Sequence, residues 1–292
     1  MWFFSKQSVP KVSRNFDPPY FSDPAVQIAF EENGYVVLKN MVTEEEVKEA
    51  YDFFEKLQTM ESYNVQEKFE SSGNFTSKST QQKVFDFLKT FTEKIAVRFA
   101  NLENCDLGDG GAFFIKPNTP ESVLHPHQDS AVIDESRYYG VFVWIPLTDT
   151  RLDNGPLYVL PKSHLWGNFY RSQHIPWTFR KEYKYLWKKM IPVLAGKGDI
   201  ICFDTSLIHA STANKSGVVR VAACGALLPK NHHKIEYLLK SDTIYKYYID
   251  NNYWLDGGQE ATLENYKYET SPYNFPNPIK KKTIDELLNQ HA

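Results

Sequence analysis

The spacing of apolar positions gives the chain two textures. Over the first hundred residues it follows a helical period. Ser22-Asp23-Pro24 supplies an N-cap and a first-turn proline, and Gly34 closes the helix predicted over Ala25–Glu32. Tyr35–Leu38 reads as a short apolar strand. Thr43-Glu44-Glu45-Glu46 is a capping box, opening a helix with Val47, Tyr51, Phe54 and Leu57 at helical spacing. A third helix is predicted from about Thr80 to Ala100, with Val84, Phe87, Leu88, Phe91 and Ile95 on one face.

From about residue 111 the pattern changes to short strands broken by Pro, Gly, Asn and Asp. The candidates are Ala112–Lys116, Tyr138–Leu147, Leu157–Leu160, Ile191–Leu194, Asp199–Phe203, Ile208–Ala213 and Val218–Leu227. Strands at this spacing predict an antiparallel sandwich or jelly roll. Two stretches interrupt them: residues 164–190, crowded with Trp and Tyr, and residues 242–278, rich in Tyr, Asn and Pro. With no repeats and no flexible linker, residues 1–292 read as one domain. Its parts are a helical region to about 105, a jelly-roll core over about 110–230 and a C-terminal extension over 231–292.

Composition removes several function classes. Hydrophobic residues at 42% and aromatics at 15% of 292 residues provide for a packed core. A net charge of −3, with scattered lysines and arginines, leaves no nucleic-acid footprint. No apolar run approaches the roughly eighteen residues of a membrane span. Cys105, Cys202 and Cys224 lack CxxC spacing and read as reduced thiols. With four apolar N-terminal residues and no C-terminal address, a cytoplasmic protein is expected. These patterns do not encode an oligomeric state.

The candidate chemistry begins at His127-Gln128-Asp129. On a strand, residues at i and i+2 share a face, as a common metal requires. His209, after the buried-looking strand ending at Phe203, is the candidate third ligand from a distant strand. Two imidazoles and one carboxylate suit iron(II) with open coordination positions, whereas structural zinc normally takes four protein ligands. Spacing alone equally allows two hydrogen-bonded histidines and a turn aspartate. Arg220, eleven residues after His209, sits in the apolar run Val218–Cys224, where a guanidinium needs an anion. If residues 214–217 form a hairpin loop, Ser211 lies opposite Arg220 and His209 opposite Ala222. His209 and Arg220 are then roughly 7–8 Å apart on one face. A small dicarboxylate could chelate the metal and reach Arg220 and Ser211 with its far end.

In these segments the chain resembles the phytanoyl-CoA dioxygenase family of iron(II)- and 2-oxoglutarate-dependent oxygenases. The matching segments, in order, are His125-Pro126-His127-Gln128-Asp129, Asn154-Gly155-Pro156-Leu157 and Leu160-Pro161-Lys162-Ser163-His164. Gly198-Asp199 with Phe203, His209-Ala210-Ser211 and Arg220 follow, so the resemblance covers roughly residues 110–230. It implies a mainly β fold with N-terminal helices, a cupin-like double-stranded β-helix. It implies Fe(II) on the matches His127, Asp129 and His209, and 2-oxoglutarate with its far carboxylate on Arg220, helped by Ser211. With O2, such an enzyme oxidises a C–H bond of a small-molecule substrate, hydroxylation being the expected outcome, and releases succinate and CO2.

Asp129 favours oxygenation or desaturation over halogenation, because halogenases of this type lack the carboxylate. Lys162 departs from the family, which usually has glycine in that turn. His164 reads as a turn residue or a support for the ligands, and His232-His233 as solvated. Residues 164–190 are a candidate lid or substrate wall, or a packing insertion. Arg137, Tyr138 and Tyr139 are candidates for facing substrate. The reading from another class is a non-catalytic jelly roll that binds a metal and a small carboxylic acid.

Overall fold

The computed structural model describes residues 14–291 apart from 61–67, 75–76, 109, 256 and 274–277. Helix α1 (Pro24–Asn33) starts where the Asp23 carboxylate accepts the Ala25 N–H at 2.8 Å, and ends at Gly34 with φ 79°. Strand β1 (Tyr35–Leu38) leads to α2 (Glu44–Met60), whose capping box closes reciprocally. The Thr43 N–H donates to Glu46 Oε2 at 2.9 Å, and the Glu46 N–H to Thr43 Oγ1 at 3.2 Å. The short strand β2 (Glu70–Ser71) precedes α3 (Lys78–Ala96), which stops at Ala96 instead of continuing to Ala100. Strand β3 (Cys105–Leu107) follows.

The core then runs β4 (Ala112–Lys116), β5 (Leu124–His127), β6 (Val141–Pro146), β7 (Leu157–Val159), α4 (Tyr183–Trp187) and β8 (Ile191–Val193). Strands β9 (Ile200–Asp204), β10 (His209–Ser211) and β11 (Arg220–Pro229) complete it. A seven-stranded sheet has the order β1-β9-β6-β11-β4-β2, with β3 on the far end of β11. A four-stranded sheet, β5-β10-β7-β8, makes up the rest of a double-stranded β-helix. The first part of the chain contributes to this sheet as well as helices, since β1, β2 and β3 all join the large sheet.

Period-2 alternation decides what each face meets. Along β11, Val221, Ala223 and Leu227 pack with α1–α3 residues such as Phe30, Phe54 and Phe91. Ala222 and Cys224 point the other way, into the space between the sheets, with Trp144, Leu157 and Phe203. The back of the small sheet, at Tyr158 and Ala210, is covered by Trp166, Phe179 and Leu186 of the 164–190 segment.

The C-terminal region is more ordered than its composition suggested. Strands β12 (Lys234–Lys240) and β13 (Thr243–Ile249), helix α5 (Asn251–Leu255), β14 (Tyr268–Pro272) and α6 (Lys281–Gln290) follow one another. The three strands form an antiparallel meander. The interruption read over residues 242–278 is corrected here: Tyr and Ile in β13 favour strand, and the Asn and Pro belong to its surroundings. Helix α6 buries Ile284 and Leu287 against Trp166, Phe179 and Leu186. No helix of the described residues is long and apolar enough to cross a membrane.

Two local features have measurable consequences. Lys162 has φ 66°, the left-handed region, which accounts for glycine being usual at this turn. Lys162→Gly is expected to raise stability by up to about 1 kcal/mol in urea denaturation, by removing the Cβ conflict. At α2, Arg98 donates to Glu46 at 2.8 and 2.6 Å and holds its carboxyl down to about 2, against an ordinary 4.5. A depressed folded pKa contributes stability above the unfolded value and loses it as pH falls. Glu46→Gln is therefore expected to lower stability at pH 7 by on the order of 1–2 kcal/mol. That difference should shrink below about pH 4.5 and vanish near pH 2, which thermal melts across this range would show.

Candidate active site

Strand β5 ends at His127, so Asp129 lies just past it, not on it, and i, i+2 alternation is not what joins the pair. Pairing of β10 with β5 sets His209 directly opposite His127, their ring centroids 4.2 Å apart. His127 Nδ1 lies 2.8 Å from His125 O, and His209 Nδ1 lies 3.0 Å from Leu207 O. A carbonyl oxygen only accepts, so each Nδ1 carries the proton and each Nε2 keeps its lone pair. The two Nε2 atoms stand 3.8 Å from different oxygens of the Asp129 carboxylate. That separation is too long for a hydrogen bond, and all three donor groups lie within 4.8 Å of one another. Burial, and then the neighbouring His209, push His127 down to about 4, so it is neutral at physiological pH, as ligation requires.

Asp129 is held from below by residues the sequence did not single out. Gln128 Nε2 donates to Ser206 O at 2.6 Å, while its Oε1 accepts from Asn168 Nδ2 at 2.9 Å and Trp177 Nε1 at 3.3 Å. Arg171 Nε donates to Asp129 O at 2.9 Å, and its two terminal nitrogens fork onto Glu135 at 2.7 and 2.8 Å. Burial pushes the Glu135 carboxyl up, but Arg171 and Arg14 outweigh it and hold the group below its ordinary value. Nothing local in the sequence marked Arg171, since Arg180 and several lysines share its segment. The 164–190 segment thus braces the ligand loop, and none of its described residues lines either cavity at the cluster. Arg137, Tyr138 and Tyr139 also lie outside both cavities. Tyr139 instead accepts the Tyr20 N–H at 2.8 Å and donates to Pro18 O at 3.1 Å. His164 is buried with Nε2 on Glu31 O at 3.0 Å, a turn residue outside the cluster.

Arg220 and Ser211 do meet the cluster, though not through the expected hairpin. Strand β10 pairs with β5 and β7, whereas β11 pairs with β3, β4 and β6, so residues 214–217 carry the chain from one sheet to the other. Asn214 shapes this crossing: its Nδ2 donates to Lys116 O at 2.9 Å and Val218 O at 2.7 Å. Alternation cannot separate strands that pair from strands that face each other across a core; both share an interior. Arg220 stands opposite Lys116 in the sheet, with its guanidinium 5.1 Å from the Trp144 ring centroid. Its Nε and Nη1, and Ser211 Oγ, are buried without hydrogen-bond partners. Burial lowers Arg220 to about 10, still cationic at neutral pH.

Two cavities flank the cluster and share Asp129 and Phe114. One, of about 230 Å³, holds His127, His209, Ser211 and Arg220 together. The other, of about 480 Å³, opens on the opposite side of Asp129. A metal fits the first because its donors are two imidazoles and a carboxylate. An anion fits beside it because the guanidinium there has unused donors.

The sequence profile of phytanoyl-CoA dioxygenase (PhyH) matches residues 30–222, a span that contains the three candidate ligands, Ser211 and Arg220. The chain belongs to the phytanoyl-CoA dioxygenase family. It is accordingly an iron- and 2-oxoglutarate-dependent oxygenase. No curated protein matches the chain closely. Among solved structures, EctD from S. alaskensis, with 2-oxoglutarate and 5-hydroxyectoine, has a TM-score of 0.53 at 17% identity, covering 78% of this chain and 83% of that one. HygX from Streptomyces hygroscopicus, with nickel and 2-oxoglutarate, has a TM-score of 0.52 at 14% identity, covering 72% and 88%. The epimerase SnoN, with Fe3+, alpha ketoglutarate and nogalamycin RO, has a TM-score of 0.51 at 17% identity, covering 73% and 87%. At these identities the likeness establishes the shared double-stranded β-helix of this family.

The brace under Asp129 leads to a test. Lysine can pair with Glu135 but cannot also donate to Asp129 O, so Arg171→Lys is expected to weaken Co(II) binding by about 10- to 100-fold. Calorimetric titration of the metal-free protein would show it. Unchanged affinity would mean that Arg171 serves stability alone.

Proposed function

We propose that the protein hydroxylates a C–H bond of a small molecule, with Fe(II) held by His127, Asp129 and His209. In the same reading, 2-oxoglutarate places its far carboxylate on Arg220 and Ser211. The observation that carries this is a buried guanidinium with free donors, facing a His–Asp–His cluster inside one cavity of about 230 Å³. C–H oxidation coupled to conversion of 2-oxoglutarate and O2 into succinate and CO2 is chemistry that iron(II) supplies when bound.

The remaining work falls to the chain. The two Nδ1–H···O=C contacts fix ring orientation, so both Nε2 atoms address one point. Arg220 offers a planar fork to a carboxylate, and the Trp144 face holds the guanidinium in place. Lys116 adds little positive charge: burial, and then Arg220, lower it to about 6, and its Nζ donates to Ser122 O and Thr212 O. Phe69, Leu157 and Phe203 line the cavity and keep water from the anion, which strengthens its contacts. A non-catalytic acid-binding jelly roll is disfavoured by membership of a dioxygenase family. Three buried free thiols support a reducing, cytoplasmic setting.

Anaerobic addition of Fe(II) and 2-oxoglutarate is expected to produce the visible absorption of their complex. His127→Ala should abolish it. Arg220→Ala should require at least about tenfold more 2-oxoglutarate, as expected when a charged hydrogen-bond partner is lost. Folded wild-type protein that shows no such absorption would overturn the assignment.

A further inference from the structure

The larger cavity bears on the substrate, given the metal site proposed above. On the inner face of the large sheet, register sets out a sequence of side chains. Arg220 lies beside Lys116, Ala222 beside Phe114 and Pro146, Cys224 beside Ala112 and Trp144, and Ala226 beside Phe142. The guanidinium of Arg220 stands at one end. Towards the other end β11 and its neighbours present small and aromatic side chains at Cys224, Ala112, Ala226 and Phe142, and then Leu228. Six strand steps along β11 separate Arg220 from Ala226, about 20 Å at strand rise, so the two ends serve different molecules.

Four elements supply aromatic walls to the cavity of about 480 Å³: Phe85 from α3, Phe114 from β4, Phe142 from β6 and Trp254 from α5. Ala226 and the backbone at Gly110 leave the space between them open. Among the described lining residues, Asp129 and Lys234 are the charged ones, and Lys234 Nζ donates to Asn251 Oδ1. A coenzyme A thioester carries several phosphate charges and calls for a cluster of cations. An amino-acid zwitterion calls for a carboxylate and a cation at fixed spacing, and the carboxylate here is a ligand candidate. Neither demand is met by this lining, whereas ring faces and apolar volume suit a flat hydrophobic body.

We propose that the substrate is a free small molecule with an apolar, ring-bearing body and at most one anionic group, bound between Asp129 and Trp254. The probe is N-phenyl-1-naphthylamine, titrated by its fluorescence into the whole protein with octanoyl-CoA as competitor. Two variants fill the cavity. A Cβ at Gly110 meets no atom within 4 Å, so Gly110→Leu adds bulk to the lining from there, and Ala226→Phe adds a ring to it from β11. Micromolar binding by the wild type is expected, at least tenfold weaker in each variant that circular dichroism shows folded, with no displacement by equimolar octanoyl-CoA. No binding to the wild type, unchanged affinity in the folded variants, or displacement by octanoyl-CoA would each overturn the proposal. The Fe(II)–2-oxoglutarate absorption, read on the same samples, should persist in the variants. Its absence from the wild type would refute the metal-site reading independently of the probe result.

Discussion

A guanidinium buried beneath a ligand loop must find acceptors in every direction, and the protein around Arg171 is arranged to provide them. Asp129 O, both oxygens of Glu135, Asn168 O and Thr205 O all accept from it. Glu135 in turn meets Arg14 at 3.6 Å, and Arg14 reaches Asp204 at 3.0 Å. One buried network therefore ties together the start of the described chain, the loop carrying Asp129, the 164–190 segment and the turn after β9. Removing Arg14 would leave Asp204 buried without its cation, and removing Glu135 would leave Arg171 without its carboxylate, which is why such a network is strict about geometry. The carboxylate at the cluster inherits that strictness through its own backbone carbonyl.

Above the brace, the two sheets divide the work. The small sheet brings the histidines face to face, because β10 lies against β5 in a register that opposes His209 to His127. The large sheet contributes the inner row of β11, which runs from Arg220 through Ala222 and Cys224 to Ala226. Small residues in that row leave volume between the sheets, and the aromatics opposite them keep it apolar. The protein thus places a charge-accepting pocket and an apolar one on either side of a single carboxylate.

Much of this was legible in the residues. Asp23, Gly34 and the Thr43–Glu46 box mark helix ends by local hydrogen bonding, so they read correctly without any tertiary information. Seven strands between residues 112 and 227 followed from alternation, with ends displaced by a few residues. Strands β12–β14 were missed because loop composition around them outweighed short runs of Tyr and Ile. Arg171, Gln128 and Lys116 were missed because nothing local distinguishes an arginine, glutamine or lysine that will be buried from one that will not.

The sequence by itself marked His127, Asp129, His209 and Arg220 as candidates for one interior, since an apolar strand does not bury a guanidinium without a partner for it. It did not determine how. A strand's side chains alternate in the same way whether its successor pairs beside it or faces it across a core. Only the tertiary structure placed β10 and β11 in opposite sheets, so that Arg220 approaches the cluster across the interior and not diagonally along a hairpin. The same packing closed the Arg171 network and set the charge-poor cavity beside Asp129. Those are outcomes of long-range contact, which no local pattern contains.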